Sequence, residues 1–210
     1  MNKNKAMGKM ENKVVSGYLP KLLRNIGIKM YTFFMRRHFH RLYSYIDPRI
    51  EFTNPKLISI GHNVSIRPYV WIYAIINPKN TSSPHIEIGD NCVIGRFCHI
   101  TSSNKVILEG SVLLAEGVLI TDSMHGYEDI RIPVIQQPVV SLGPVVIGKG
   151  TWIGNGAKIV GKVCIGRNCV IGAGAFVNKD LPDYSIAVGS PARVVKQFDT
   201  QKQLWIDLNK

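Results

Sequence analysis

Residues 146–177 read VIGKGTWIGNGAKIVGKVCIGRNCVIGAGAFV, and an aliphatic residue returns at every sixth position of this stretch. The same spacing occurs in two earlier tracts. The recurring residues are Ile60, Ile66 and Ile72; Ile88, Ile94, Ile100, Val106, Val112 and Val118; and Ile147, Ile153, Ile159, Ile165, Ile171 and Val177. A period of six differs from the 3.6 of a helix and the 2 of a strand, so it predicts a short strand followed by a turn.

Three such units would form one triangular coil of about 18 residues, and stacked coils would bury a column of aliphatic side chains. Glycine often follows the aliphatic residue, where a tight corner needs a positive φ or a close approach of two backbones. A small or β-branched residue commonly lies four places after the aliphatic residue, and we expect it to face inward as well. The pattern therefore predicts an all-β fold, a parallel β-helix of hexapeptide repeats.

The four cysteines fit this register. Cys92, Cys98 and Cys169 occupy the small inward position, where a thiol packs as a small apolar group, and Cys164 falls at an outward position. Their spacing is typical of neither a zinc site nor a disulfide framework. The six histidines are not spaced to converge on one point, so we expect no metal site.

The two ends of the chain depart from the repeat. Residues 1–50 form a basic segment, whose first 45 residues carry ten of the 26 Lys and Arg side chains but only one of the 14 acids. Within residues 17–45 the apolar residues follow helical spacing, which predicts a helix, with a break expected near Gly27. This helix either caps the open end of the β-helix or lies on an anionic membrane face. Asp199 is a candidate N-cap for a short C-terminal helix over residues 198–210.

Two insertions interrupt the predicted β-helix domain, residues 51–197. One is the polar stretch 74–85, and the other is the longer excursion 121–146, which begins TDSMHGYED. Long loops in a compact repeat protein are commonly functional. The excursion carries His125, and histidine titrates near neutral pH and is the usual general base for a hydroxyl group. Three nearby acids are candidates to orient its ring: Asp122, Glu128 and Asp129.

Together with these features, the run VIGKGTWIGNGAKIVGKVCIGRNCVIGAGAFVNKDLPDYSIAVGSPARVV resembles the hexapeptide-repeat acyltransferases. The resemblance is to the maltose and galactoside acetyltransferases and to the sugar O-acetyltransferases of surface-polysaccharide pathways. It implies a left-handed parallel β-helix and a homotrimer with active sites between neighbouring subunits. Acetyl-CoA would bind along the groove between two subunits. We therefore expect an acetyl-CoA-dependent O-acetyltransferase that acts on a sugar or a glycan precursor by direct transfer. We expect a cytoplasmic location because the sequence shows no secretory signal and no apolar run of the about 20 residues that span a bilayer.

The resemblance also implies roles for single residues. His125 matches the catalytic histidine of the family. The residues that match acetyl-CoA contacts are Trp152, Asn155, Ala173, Asn178, Lys179 and Arg193. The acceptor contacts of the maltose and galactoside enzymes do not carry over, because Gly95 and Ser103 stand where those enzymes place Asn and Asp. The candidates for binding the acceptor are therefore His99, Ser102 and Asp122.

Two other functions fit the same sequence. An N-acetyltransferase of a nucleotide-linked amino sugar would use nearly the same site, because His125 could also deprotonate an ammonium group. A non-catalytic hexapeptide-repeat scaffold would be expected to lose His125, Lys179 and Arg193, and all three are present. A lipid-linked acceptor at the inner face of the membrane, reached through residues 17–45, is a further hypothesis. No nucleic-acid partner is expected.

Overall fold

Between residues 58 and 177 the chain winds through three sheets in a constant order, so that each turn adds one strand to each sheet. The computed structural model describes residues 21–76 and 85–208. We name the sheets face I, face II and face III in the order in which the chain visits them. The three edges of the prism are then the I–II, II–III and III–I corners.

The bounds of the elements are as follows. Face I consists of β1 (Arg41–Leu42), β3 (Ile58–Ile60), β6 (Ile86–Ile88), β9 (Val106–Leu108), β14 (Val145–Ile147) and β17 (Val163–Ile165). Face II consists of β4 (Ser65–Ile66), β7 (Val93–Ile94), β10 (Leu113–Leu114), β15 (Trp152–Ile153), β18 (Val170–Ile171), β20 (Ser185–Val188), β21 (Arg193–Asp199) and β22 (Leu204–Asp207). Face III consists of β2 (Glu51–Thr53), β5 (Trp71–Ala74), β8 (His99–Ser102), β11 (Leu119–Thr121), β16 (Lys158–Val160) and β19 (Phe176–Val177).

The remaining elements lie outside the three faces. Strands β12 (Ser123–His125) and β13 (Val139–Ser141) form an antiparallel hairpin, and helix α1 covers Lys21–Met35. The short 3-10 helices are Arg36–His38, Pro55–Leu57 and Val134–Gln136.

The prediction of a parallel β-helix is confirmed. Successive coils pair in parallel on all three faces, for example Ile58–Ile60 with Ile86–Ile88. Because side chains alternate along a strand, the first and third residues of such a strand face inward, and the isoleucines there are buried. Each fully buried isoleucine contributes about 1.5–3 kcal/mol relative to an exposed one. The core is therefore one aliphatic column along the prism axis.

One coil within the second tract is two residues longer than 18, although the six-residue spacing of aliphatic residues continues through it. Counting by six from Ile88 reaches Val106, but the ladder pairs Ile88 with Leu108. This step is two residues longer than the step from Ile147 to its partner Ile165. Both Val106 and Leu108 face inward, so the aliphatic spacing continues through the longer coil. The assignment of Val106, Val112 and Val118 to the same position as Ile88 was therefore wrong, and the extra residues lie in the turn after Ser102.

Glycine meets two needs at two different corner positions. A Cβ on Gly148 or Gly154, directly after an inward isoleucine, would lie 2.5 or 2.6 Å from backbone atoms of the next coil. These positions exclude a side chain because the coils stack closely. The positive φ falls two residues later, at Gly150 (φ 74°) and Gly156 (φ 66°). Other corners place a residue such as Asn91 (φ 60°) there, because asparagine tolerates the left-handed region.

The predicted sides of the cysteines are confirmed. Cys92, Cys98 and Cys169 are buried, and Cys164 is exposed. The small inward position also has a polar role, because the Sγ of Cys98 donates to a carbonyl oxygen of the next coil at 3.0 Å. The Oγ1 of Thr151 makes the equivalent bond at 2.8 Å. Burial raises the pKa of Cys98 to about 11, which leaves its thiol protonated at neutral pH.

The predicted N-terminal helix is present but does not extend to residue 45, because Arg36–His38 form a 3-10 helix and Arg41–Leu42 form β1. The predicted break near Gly27 is also wrong. Helix α1 continues through Gly27 and ends at Met35. A single helical glycine costs only about 1 kcal/mol, which the turns on either side can outweigh. The helix is attached through Thr32, whose Oγ1 donates to the carbonyl of Ile28 at 2.7 Å and accepts the N–H of Ile46 at 3.0 Å. Residues 1–20 of the predicted basic segment lie outside the described residues, as do residues 77–84 of the first insertion.

The predicted C-terminal helix is wrong, because residues 204–207 form strand β22. This strand pairs antiparallel with β21, with Phe198 opposite Trp205. The Oδ1 of Asp199 accepts the backbone N–H groups of residues 201 and 202 at 2.9 Å, as a helix N-cap would. A positive φ of 54° at Gln203 then reverses the chain instead of continuing a helix. Contact between the rings of Phe198 and Trp205, with centroids 5.4 Å apart, stabilises the hairpin.

Candidate active site

The hairpin of the excursion carries His125 away from the coil at the III–I corner. Its strands leave face III after β11 and return to face I before β14. His125 pairs with Val139 across the hairpin, and the N–H of Gly126 donates to the carbonyl of Pro138 at 2.8 Å. The side chain of His125 is exposed, and within residues 21–76 and 85–208 no hydrogen bond reaches its ring. A rigid backbone therefore presents a free imidazole.

Asp122, directly before β12, holds the start of this hairpin against the preceding coil. Its carboxylate is fully buried and binds the turn that holds the two extra residues. Oδ2 accepts the hydroxyl of Ser102 at 2.6 Å and the N–H groups of Asn104 and Lys105 at 2.9 and 2.7 Å. Oδ1 accepts the N–H of Ser103 at 2.8 Å. The structure therefore places Asp122 as a brace between two successive coils rather than on an open surface.

Gln137 holds the outer part of the excursion. Its Oε1 accepts the N–H of Asp129 at 3.2 Å, and its Nε2 donates to the carbonyl oxygens of Asp129 and Ile132 at 3.0 and 3.3 Å. The side chain of Asp129 forms an ion pair with Arg131 at 2.7 Å, and this bond lowers the pKa of Asp129. Of the three acids expected to orient His125, Asp122 is buried in its turn, Asp129 is paired with Arg131, and Glu128 is exposed.

The residues matched to acetyl-CoA contacts fall into three groups. Trp152 lies on the outer side of face II, between Leu113 and Val170 of the adjacent coils. Asn155 and Ala173 lie at the II–III corner of successive coils, and both are exposed. The carbonyl of Asn155 accepts the N–H of Gly174 at 2.8 Å, so the backbone of this corner is ordered by coil stacking.

The third group lies at the C-terminal end of face III. Asn178 and Lys179 follow β19 and are exposed. The N–H of Ala192 donates to the carbonyl of Phe176 at 2.7 Å, and this bond brings the start of β21 next to β19. Arg193 follows directly, so Lys179 and Arg193 are both attached to the last strand of face III. Two cations near one strand end are a suitable partner for phosphate.

The structure places the acceptor candidates at different depths. Ser102 is fully buried, and its hydroxyl lies within bonding distance of Asp122 and of the carbonyl of His85. His99 lies on the outer side of face III with its ring centroid 4.3 Å from that of Trp71. Burial lowers the pKa of His99, while the charge of Glu51 acts in the opposite direction.

The sequence did not reveal that the outward residues of face III form one continuous column, with one residue from each strand. The ladders align the residues in this order: Glu51, Trp71, His99, Leu119, Lys158 and Phe176. The alternation in WIYA, residues 71–74, places Ile72 and Ala74 inside and was the available signal for the outward position of Trp71.

Among residues 21–76 and 85–208, no helix is long and apolar enough to cross a membrane. The same residues contain no group of three or more His, Cys, Asp or Glu side chains that could hold a metal ion.

Comparison with known proteins agrees with this geometry. Residues 144–179 match the profile of the bacterial transferase hexapeptide (six repeats). A probable acetyltransferase of Mycobacterium tuberculosis is 40% identical over 129 residues, which cover 60% of this chain and 42% of that protein. The galactoside O-acetyltransferase of Escherichia coli is 28% identical over 91% of this chain and 86% of its own length. The chain thus spans less than half of the first of these relatives.

The fold also matches that of a solved enzyme. The structure of AntD, an N-acyltransferase from Bacillus cereus in complex with dTDP and 3-hydroxybutyryl-CoA, has a TM-score of 0.67 and 20% identity. The match covers 82% of this chain and 90% of AntD. The coils are those of a left-handed parallel β-helix. The repeats, their profile and these relatives show that the chain is similar to the hexapeptide-repeat acetyltransferases.

Proposed function

We propose that this protein is an acetyl-CoA-dependent O-acetyltransferase that acts on a sugar or a glycan precursor. The placement of His125 carries the proposal. Its imidazole is exposed and makes no hydrogen bond to any described residue. The hairpin that carries it leaves the coil that lies between the cationic C-terminal end and the N-terminal end of face III. A general base needs a free nitrogen, a fixed position and access to both substrates.

The reaction follows from these positions. Trp152, Asn155 and Ala173 would contact the acyl and pantetheine part of acetyl-CoA, and Asn178, Lys179 and Arg193 its nucleotide end. His125 takes the proton from the acceptor hydroxyl while the oxygen attacks the thioester carbonyl, and a backbone N–H stabilises the oxyanion. The intermediate then expels the thiolate, which takes the proton from His125. The products are an acetyl ester and free CoA thiol.

We further propose that the active unit is a homotrimer. His125 lies at the III–I corner, whereas Trp152 lies on face II, so one chain does not place them on the same side of the prism. The excursion also exposes large apolar side chains, with Ile130 exposed over 95% of its surface. The exposed apolar residues of the excursion are Met124, Tyr127, Ile130, Ile132, Val134, Ile135, Val139 and Val140. A second copy that covers this patch would complete the site with its own face II.

A cytoplasmic location with peripheral contact to the membrane completes the proposal. Helix α1 buries Thr32 and packs Tyr31 and Met35 against the core, but its other side carries exposed apolar residues. Its exposed apolar residues are Leu23, Ile26, Met30, Phe33 and Phe34. Exposed Lys29, Arg36 and Arg37 accompany them, and such a combination favours an anionic lipid surface. This contact would bring the enzyme to lipid-linked precursors of a surface polysaccharide.

Vesicle pelleting tests the membrane contact. The protein should pellet with vesicles that contain phosphatidylglycerol and remain in solution with phosphatidylcholine vesicles. Met30→Asp with Phe33→Asp should abolish pelleting, whereas Leu208→Asp, which adds a charge at an exposed apolar residue outside α1 and the excursion, should not change it. Equal pelleting of wild type and the α1 variant contradicts the proposal.

A thiol-release assay tests the activity. The protein is incubated with acetyl-CoA and either neutral methyl glycosides or nucleotide-linked amino sugars, and the released CoA thiol is measured. We expect release with the glycosides and a loss on the order of 10²-fold in His125→Ala, the usual scale for a general base. His62→Ala, which removes another exposed histidine, is the control.

The outcomes of this assay separate the alternatives. Activity only with the amino sugars makes the protein an N-acetyltransferase, and no release with any acceptor favours a non-catalytic scaffold. Unchanged turnover in His125→Ala shows that His125 is not the base. Loss of O-acetyl groups from the surface glycan of a deletion strain, measured by mass spectrometry, would place the reaction in polysaccharide biosynthesis.

A further inference from the structure

The N-terminal half of face III carries an aromatic surface. Trp71 and Tyr73 point outward from β5, because Ile72 and Ala74 of the same strand face the core. The two rings are nearly parallel, at 8°, with centroids 6.1 Å apart. Trp71 is exposed over 41% of its surface although its strand is paired on both sides, with β2 and β8. An exposed indole on an ordered strand is a rigid apolar surface for a ligand.

Polar groups border this aromatic surface. The hydroxyl of Tyr73 donates to Oε2 of Glu51 at 3.2 Å, which leaves the other carboxylate oxygen for a further donor. The ring of His99 approaches Trp71 edge-on at 63°, and its Nε2 is buried without a hydrogen-bond partner in the described part of the chain. A buried polar atom without a partner is unfavourable, so a small movement of the ring toward a ligand hydroxyl would stabilise it.

The position of this surface relative to His125 is set by the ladders. His99 pairs with Leu119 of β11, and the excursion that carries His125 begins where β11 ends. On the other side of β11, Leu119 pairs with Lys158 of β16. Coils stack at about 4.8 Å, so the aromatic residues begin one coil below the coil of His125 and the cations begin one coil above it. Face III therefore has a cationic end and an aromatic end, with the catalytic hairpin between them.

We infer that Trp71, Tyr73, His99 and Glu51 form the subsite for the acceptor, and that it binds a pyranose ring. The C–H face of a pyranose is apolar and flat enough to lie on an indole, while its hydroxyls donate to a carboxylate and bond to an imidazole. The cationic end receives the coenzyme phosphates, so the acceptor occupies the opposite end and its hydroxyl reaches His125. This inference rests on the proposed function and names the substrate class of the same site.

Two measurements on the full chain test the subsite. The first is binding of methyl β-D-galactopyranoside and methyl α-D-glucopyranoside, without acetyl-CoA, by saturation-transfer NMR. The second is steady-state turnover with the same glycosides. Trp71→Ala should abolish the NMR signal and raise the acceptor KM at least tenfold, with kcat and the KM for acetyl-CoA within about threefold of wild type. Trp71→Phe should retain most of the binding.

Trp205→Ala is the matched control, because Trp205 is exposed over 43% of its surface and lies on β22. It should change neither measurement. Absence of binding to wild type, binding that Trp71→Ala leaves unchanged, or a change of oligomeric state in Trp71→Ala by light scattering overturns the subsite. Binding that depends on Trp71 without any acetyl transfer upholds the subsite and overturns the proposed function. Transfer that Trp71→Ala leaves unchanged does the reverse.

Discussion

Replacement of Asp122 by asparagine tests whether the brace between two coils stabilises the protein and positions His125. The carboxylate accepts four hydrogen bonds at 2.6–2.9 Å from one turn, and it is fully buried. An amide of the same shape has only one accepting oxygen. If that oxygen keeps the three donors at the Oδ2 position, the new NH2 group faces the N–H of Ser103, and two donors oppose each other.

The structure sets the size of the effect. Asp122→Asn loses one hydrogen bond and leaves a buried donor unpaired, which costs about 2 kcal/mol. Asp122→Ala leaves all four donors without this partner, and we expect a loss of about 4 kcal/mol. For a chain of this length each kcal/mol lowers Tm by about 2–4 °C. The expected shifts are therefore about 6 °C for asparagine and about 12 °C for alanine.

Calorimetry at constant protein concentration, with turnover below the transition, measures both effects. Because Asp122 precedes His125 by three residues, kcat should fall with little change in the KM for acetyl-CoA. Asp90→Asn is the control, since the Oδ1 of the exposed Asp90 accepts only the N–H of His62 among the described contacts, at 2.7 Å. If Asp122→Asn is no less stable than Asp90→Asn, the brace does not contribute as the structure indicates.

Three further predictions test the coils and the assembly. Gly148→Ala should cost about 3 kcal/mol in denaturant unfolding because its Cβ would overlap the next coil, whereas Gly156→Ala, which meets open space at positive φ, should cost about 1 kcal/mol; equal costs would contradict the close stacking. A thiol reagent should modify Cys164 alone in the native protein, and the rate should rise at a higher pH than for an ordinary cysteine because burial and nearby acids raise its pKa; rapid modification of Cys98 would show that the core becomes accessible to the reagent. Ile130→Asp should convert the proposed trimer to smaller species in light scattering without lowering the helix or sheet signal of circular dichroism, and an unchanged oligomeric state would exclude the excursion from the interface.

Much of the fold could be predicted from local sequence. Ile147, Ile153 and their repeats specify short strands and an inward column because the period of six admits no helix. The positions of Cys98 and Cys164 followed from the same register. The C-terminal hairpin could not be predicted, because Asp199 makes the same bonds to the next N–H groups in a turn as in a helix cap. The later φ of Gln203 decides between them, and no local pattern indicates it.

The site divides in the same way. A histidine in an excursion between repeats indicated a candidate catalytic base. The resemblance to a family indicated which residues would contact the two ends of acetyl-CoA. The roles of Asp122 and Trp71 depend on residues far apart in sequence: Asp122 binds donors 17–20 positions earlier, and Trp71 lies beside His99 across an insertion. A repeat determines that coils stack, because each unit must bury its aliphatic residues. Only the tertiary structure decides which outward residues meet, because the lengths of the insertions set the alignment of one coil on the next.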